Sequence, residues 1–491
     1  MDHYDLVIIG GGPSGLALAQ CISHLNKKIL IIEKEHFIGG CHAVKRVKYG
    51  SEFLFSEHGP RIYSDTYTVF IDLLKEMNVD FYDLFTKYNF TISKIGGDTI
   101  FSTLSFYELS FLFFEFVKLL FNNEYGDNTI LKDFLSSSNF NIKSIDLINR
   151  ICKLTDGGGI DKYTLNKFLQ LLNQQFFYYI YQPKKPNDIG LFKIWQEFLN
   201  KRNVEFSLGS IIHNIQIRNN KIESLDIITN SQLHRITSNN FVFAIPPKNL
   251  YEIIEKFNIP HSWGDLKTFA IDTAYIEYIS VSFHWDNKLK LPKVYGFPKT
   301  AWGVGFIVLS DYMTFDESTS KTVISTAITI TDEKSLNNGK TANECNYNQL
   351  INELFLQLKE SFPNLPDPTK IVLSPEVHYN TVLQKWQSDN TAFISTSNKG
   401  NLPFHNNIID NMYNLGTHNG KSYYKFTSLE SAVSNAVVLS KELYPSLKGN
   451  NFIKLSSGFT VSQSVRILLL GLIIYLIYYF IIKKHGKSRN R

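Results

Sequence analysis

Tyr4-Asp5-Leu6-Val7-Ile8-Ile9 runs directly into Gly10-Gly11-Gly12-Pro13-Ser14-Gly15, and Leu16-Ala17-Leu18-Ala19-Gln20-Cys21-Ile22 follows. After a short break comes Lys28-Ile29-Leu30-Ile31-Ile32, ending at Glu33. Two apolar runs of strand length bracket a glycine turn and a stretch of helical character. This is a strand–turn–helix–strand unit of roughly 30 residues. Gly10-x-Gly12-x-x-Gly15 alone would be a weak signal. Preceded by a strand, opening a helix and followed by an acid at the end of the next strand, it becomes a dinucleotide-binding signature. Gly10 permits the tight turn, Gly12 lets a diphosphate approach the bare backbone, and Gly15 lets helix and strand pack closely. Pro13 and Ser14 begin the helix, whose free N–H groups and partial positive charge face the phosphates. Glu33, with Lys34 beside it, stands where an adenosine ribose is gripped. A carboxylate there would repel a 2′-phosphate, so an unphosphorylated ribose is expected.

Outward from this unit the chain reads as an α/β protein of more than one domain. Its 491 residues exceed one simple core, and 44% hydrophobic with 19% charged residues is a folded composition. The formal charge is +5. The basic tail Lys483, Lys484, Lys487, Arg489 and Arg491 accounts for all of it, so residues 1–482 are neutral overall. Nothing electrostatic therefore argues for a nucleic-acid partner. Cys21, Cys41, Cys152 and Cys345 form no CxxC pair and fit neither a zinc site nor a disulfide framework, which suits a reducing compartment. No N-terminal signal peptide is visible.

Residues 81–184 are rich in Phe, Leu and Asn and read mostly as helix. The very apolar Phe111–Phe121 stretch reads as a buried helix, with the wall of a substrate cavity or a membrane-facing patch as alternatives. Val204-Glu205-Phe206, 211–217, 222–228 and 241–245 read as strands, and 270–330 alternates in a strand-like way. Asp156-Gly157-Gly158-Gly159 has no apolar strand before it and is expected to be a turn rather than a second phosphate loop. Thr427 and Glu430 have capping-box spacing for a helix running to Leu443. Ile467–Ile482 carries no charge. This run reads as a membrane anchor over 465–482, although at 1.5 Å per residue its 16 residues reach only ~24 Å.

Taken with these features, Val7 to Gly15, Glu33 and Gly39-Gly40 resemble the flavin amine oxidase superfamily, which includes monoamine oxidase, protoporphyrinogen oxidase and phytoene desaturase. Glu57-His58-Gly59-Pro60-Arg61 is similar to the segment that approaches the flavin ring in that group. Gly209 to Ile215 resembles the strand holding adenine, with Ile212 at the contact. Leu415-Gly416 and the Ser428–Val433 stretch resemble the closing flavin motif. Two departures stand out: Cys41-His42 follows the second glycine pair where many members carry Arg, and Ser431 precedes Ala432 where Gly is common.

The resemblance implies noncovalent FAD, since no cysteine lies beyond Cys345. It places cofactor contacts at Gly10, Gly12, Pro13, Ser14, Gly15, Glu33, Lys34, Gly40, Gly59, Arg61, Ile212, Gly416 and Leu429. Arg61 and His58 are the catalytic candidates near the ring, and no general base is named. The implied architecture is a Rossmann-type FAD domain (1–80, 185–260, 391–450) interleaved with an α+β substrate domain (81–184 helical, 261–390 strand-rich). A linker at 451–464, a C-terminal transmembrane helix at 465–482 and a basic tail at 483–491 complete it.

The implied activity is an FAD-dependent oxidoreductase removing hydride from an amine, a porphyrinogen or an isoprenoid-like lipophilic substrate. The electron acceptor is open, oxygen among the choices. The anchor would hold the flavin domain on the cytoplasmic side of the mitochondrial outer membrane or endoplasmic reticulum. Two other readings compete. Gly59 to Tyr63 and Tyr423-Tyr424-Lys425-Phe426 distantly resemble UDP-galactopyranose mutase, and Rab GDP-dissociation inhibitors share this architecture without turnover.

Overall fold

The computed structural model describes residues 2–88, 99–177, 179–293, 299–389, 392–393, 401–449, 455 and 468–480. The expected unit forms as strand Asp2–Ile9, helix Pro13–Ser23 and strand Ile29–Ile32. Its strands pair in parallel, Leu6 with Ile29 through Ile9 with Ile32. Val204–Ser207 adds a parallel strand beyond Ile29–Ile32. On the other side Asp2–Ile9 pairs in parallel with the end of Gln232–Phe243, which also pairs in parallel with Met412–Asn414. Ser210–Arg218 and Lys221–Thr229 continue the sheet antiparallel. Three separate stretches of the chain, 2–32, 204–243 and 412–414, thus contribute strands to one sheet.

Side chains alternate along a strand, so this sheet buries both faces. Leu6 and Ile8 pack with helices Pro13–Ser23, Thr68–Glu76, Leu191–Asn200 and Leu429–Leu443. Val7 and Ile9 face the opposite core, with Phe241, Leu250, Trp263 and Leu266. Near-continuous apolar runs such as Ile29–Ile32 are what a strand covered on both sides demands. Ligands of such sheets bind outside the carboxyl ends of the parallel strands, which here means around Gly10, Glu33, Ala244 and Leu415.

The 99–177 region is helical, with its own core around Leu112, Phe116, Leu131, Ile148 and Phe168. Helix Phe106–Phe121 carries the Ser105/Glu108 capping box. It is amphipathic rather than buried all round: Leu112, Phe116 and Leu119 face inward, whereas Phe106, Phe113, Phe114 and Phe121 are exposed. Helix Ile142–Asp156 ends at Gly157 in the left-handed region, φ +79°, so the Gly157-Gly158-Gly159 run follows a helix and not a strand. A second, antiparallel sheet orders Gly305–Val308, Thr322–Ile328, Ile279–Trp285 and Lys370–Leu373.

Two expectations need correction. Among the described residues no helix is long and apolar enough to cross a membrane. The proposed transmembrane helix at 465–482 is helical over 468–480, a stretch of ~20 Å at 1.5 Å per residue against a hydrocarbon core of ~30 Å. Residues 465–467, 481–482 and the basic tail lie outside the described residues. The single-pass anchor, and the membrane localisation derived from it, fall with that helix. An uncharged composition makes a helix apolar, but it does not make one long enough to span. The second correction is local. The closing helix is Leu429–Leu443, and its box is Ser428 with Ser431, one residue beyond the expected Thr427/Glu430 pair. Ser431 Oγ receives the Ser428 N–H at 2.8 Å and Ser428 Oγ the Ser431 N–H at 3.0 Å.

Candidate functional site

One cavity of about 720 Å³ begins at the glycine turn and ends among apolar side chains between the helical region and the second sheet. That volume lies within the range of roughly 300–1,000 Å³ of small-molecule sites. At its first end, Gly10 holds φ +115°, and a Cβ there would sit 2.3 Å from the Ala244 carbonyl oxygen. A Cβ on Gly15 would sit 2.1 Å from the Gly10 carbonyl oxygen, so helix and turn are in contact through the missing side chain. Gly12 differs. Its backbone is ordinary, φ −79° and ψ 177°, and a Cβ there would find nothing nearer than Gly40 Cα at 3.7 Å. The space it would fill is the cavity. Gly40, φ +55°, approaches the same backbone from the other side. Helix Pro13–Ser23 has no side-chain cap, so its first-turn N–H groups are left for a ligand.

Glu33 is buried at the strand end. Its Oε2 accepts from Gly11 N at 2.7 Å and its Oε1 from Glu35 N at 3.0 Å. Each oxygen keeps a further lone pair for a ribose hydroxyl. Burial raises this carboxyl above the usual range, against the two N–H donors that lower it. Ser210 N bonds Glu33 O and Gly209 N bonds Glu35 O, which brings Ile212 into the wall. Lys34 lines the same end and pairs loosely with Glu35 at 3.8 Å. At the other side Leu415 N bonds Phe243 O, so Gly416, Leu429 and Ala432 reach the cavity. Pro13 and Ser14 also line it, and Ser14 Oγ bonds Ala432 O at 3.4 Å. Gly15 lies behind the wall.

Of the catalytic candidates, Arg61 lines the cavity and His58 does not. The Arg61 guanidinium donates to Cys41 O, and its own carbonyl accepts from Gln182 Nε2 at 2.7 Å. His58 is buried, stacks on Tyr278 at 5.8 Å and leaves both ring nitrogens without a partner among the described residues. A Cβ on Gly59 would meet the Tyr278 ring at 2.9 Å, so this glycine shapes the wall from behind. Beyond Arg61 the surface turns apolar, with Leu154, Ile276, Phe306, Ile307, Phe393 and Phe426. Sequence reading missed these residues and the Lys45–Glu376 ion pair at 3.0 Å in the same wall. They come from widely separated parts of the chain with no shared pattern.

Burial also sets the protonation of several histidines. It lowers His42 from 6.5 to about 3, with Arg61 adding to the effect, His418 to about 3 and His284 to about 4. His58 is held well below 6.5 in the same way. The folded chain keeps these rings neutral while the unfolded chain protonates them below pH 6.5. Their contribution is therefore present above that pH and lost as pH falls toward the folded values. The four rings outnumber the carboxyls of opposite slope that burial raises most, Glu57 and Glu430, so urea midpoints of the cofactor-free protein are expected to fall between about pH 6 and 4.5, with net proton uptake on unfolding. A midpoint flat over that window would refute it.

Comparisons agree with this geometry. The family description "NAD(P)-binding Rossmann-like domain" matches residues 8–77. A UDP-galactopyranose mutase from Mycoplasma genitalium is 35% identical over 81 residues, 16% of this chain. The matched stretch spans about a fifth (20%) of that relative's length. Among solved structures, an oxidoreductase from Methanosarcina mazei superposes with a TM-score of 0.60 at 14% identity, covering 89% of this chain and 99% of the other. Putrescine oxidase bound to putrescine gives 0.60 at 13%, covering 90% and 99%. Cyclohexylamine oxidase from Brevibacterium oxydans gives 0.57 at 13%, covering 91% and 99%. At these identities what is shared is the fold.

Proposed function

We propose that this chain, which has the fold of the flavin amine oxidase superfamily, is an FAD-dependent oxidoreductase acting on a small substrate with an apolar body, an amine, porphyrinogen or isoprenoid among the candidates. One observation carries the reading. The dinucleotide cradle and an apolar chamber are two ends of a single cavity, so a cofactor lying along it brings its reactive end to the chamber. The residues present fit FAD. Gly12 and Gly40 leave the diphosphate room against bare backbone, the first helix turn offers unpaired N–H groups, and Glu33 has lone pairs for the ribose.

Bound along this cavity, FAD would supply a two-electron acceptor for hydride from a substrate C–H. The chain's share is placement, dryness and charge. Phe306, Phe393 and Phe426 exclude water beside the reacting carbon. The Leu429 turn presents a helix N-terminus to the cavity and Arg61 adds a full positive charge, so both favour negative charge gathering on a reduced ligand.

Purified full-length protein is expected to be yellow and to release FAD on heating. Under anaerobic conditions its visible band should bleach with one class among amines, porphyrinogens and isoprenoids. Protein that binds no FAD even in excess would sink the reading. A second reading, a flavin-dependent mutase, is favoured by the 35% identity to the Mycoplasma genitalium enzyme. Turnover of a sugar nucleotide with no consumption of an electron acceptor would decide for it.

A further inference from the structure

We propose that His418 is a cofactor-binding residue whose Nδ1 accepts a hydrogen bond from an N–H or O–H of the bound flavin dinucleotide. The inference rests on the FAD reading above and begins from the Asn414 side chain. Asn414 Nδ2 donates to the carbonyls of Pro403 at 2.6 Å and Phe404 at 3.2 Å, which fixes the amide's orientation. Its Oδ1 is then an acceptor only. That oxygen receives Asn419 Nδ2 at 2.7 Å and lies 2.9 Å from His418 Nε2. Asn419 is committed in turn, since its amide also donates to Leu402 O at 2.9 Å. Two acceptors cannot face each other at that distance, so His418 Nε2 carries the ring proton.

In a neutral imidazole the other nitrogen is then a lone-pair acceptor. His418 Nδ1 has no partner among the described residues, although the residue is 1% exposed and lines the cavity. Leaving a buried polar atom unpaired is destabilising, so a donor reaching Nδ1 from the cavity would complete the site. Gly416 makes the arrangement possible. A Cβ there would lie 2.6 Å from Nδ1 and 2.5 Å from Cε1, so any larger residue would displace the ring. Two neighbours in the wall have the same character: Thr417 Oγ1 and Arg61 Nε are buried without partners among the described residues. The arrangement has a chemical limit as well. Burial leaves the ring a very weak base, so it accepts a hydrogen bond and does not take a proton from substrate. FAD offers suitable donors in its ring imide and its ribityl hydroxyls.

The test uses full-length protein with ¹⁵N-labelled histidine, without FAD and loaded with it. The His418 Nδ1 signal, assigned with His418→Gln, is expected to change from a free to a hydrogen-bonded acceptor on loading. His418→Leu should weaken FAD binding about ten-fold, and His418→Gln, which keeps an acceptor, should recover part of that. FAD methylated at the imide nitrogen, and FAD lacking single ribityl hydroxyls, tell which donor is used: the matching analogue loses the signal change. Wild-type protein that binds FAD with the Nδ1 signal unmoved overturns the role of His418 alone. Wild-type protein that binds no FAD overturns the flavin reading and this role together. The wild-type spectrum decides even where the Leu variant fails to fold.

Discussion

Gly12→Ala is expected to fold as stably as the parent chain and to lose about a hundred-fold in FAD affinity, about 2.7 kcal/mol, whereas Gly15→Ala is expected to lose stability first. The contrast follows from where each missing methyl would go. At Gly12 the backbone is extended and any residue can adopt it. The methyl would contact only Gly40 Cα, at 3.7 Å, and would otherwise occupy the cavity. It costs the apo fold nothing and stands where the diphosphate must meet the backbone. At Gly15 the methyl would be 2.1 Å from a backbone carbonyl oxygen, which has no rotamer to relax into. Helix and turn must separate, at a cost of about 1–3 kcal/mol or more. Urea unfolding without cofactor and fluorescence titration with FAD separate the two effects. Gly12→Ala that bound FAD like the parent would mean the ligand does not approach that backbone, and the reading of the cavity would fail.

Those two glycines also show why this end of the site was legible. The turn, the first helix and the acid that closes the unit lie within residues 10–33, and each constraint acts between near neighbours. Val204–Ser207 and Lys221–Thr229 were legible for a similar reason, as short apolar runs bounded by turns. The strand Gln232–Phe243 was seen only from Phe241 onward. Its first part, Gln232 to Arg235, is exposed and pairs on one side only, with Lys221–Thr229, and its single apolar residue, Leu233, sets no apolar period. The hairpin Val44–Tyr49 with Glu52–Glu57 escaped notice because Lys45, Arg46 and Lys48 interrupt its pattern. Arg46 is spent on Asp188 at 2.8 Å and Glu317 at 3.1 Å, partners no local reading could supply. The apolar chamber is less legible still, since Leu154, Phe306, Phe393 and Phe426 look like ordinary core until the fold brings them to one space. The tail differs again: its uncharged composition marks an apolar helix, but 16 residues at ~1.5 Å each fall short of a bilayer core of ~30 Å, and among the described residues no helix is long enough to cross one.

Glu430→Ala is expected to destabilise the folded chain by about 3–5 kcal/mol, the cost of leaving buried N–H donors unsatisfied. The spacing with Thr427 had suggested that Glu430 closes its own helix. Instead its carboxylate reaches the helix Thr68–Glu76, where Oε1 accepts from Val69 N at 2.9 Å and Oε2 from Phe70 N at 3.0 Å. Thr68 Oγ1 lies 3.4 Å from Oε1. That helix has no cap of its own, since Tyr67 at its N-cap makes no side-chain bond. A residue some 360 positions away therefore caps it, and ties the closing helix to the opening third of the domain. Leu429, beside it, lines the cavity, so the same bond sets where the cavity wall stands.

Burial pushes the Glu430 carboxyl up to about 8 against those donors. A folded value above the unfolded one means that the fold holds the proton longer. The associated stability is complete below about pH 4.5, declines as pH rises and is gone above about 8. Glu430→Gln keeps one acceptor and cannot ionise. It should recover part of the loss seen in Ala and remove that component of the slope between pH 5 and 8. Urea unfolding of the parent, Gln and Ala chains at several pH values measures both effects. An Ala variant within about 1 kcal/mol of the parent would mean that Val69 and Phe70 find other acceptors and that the closing helix is held by its apolar face alone.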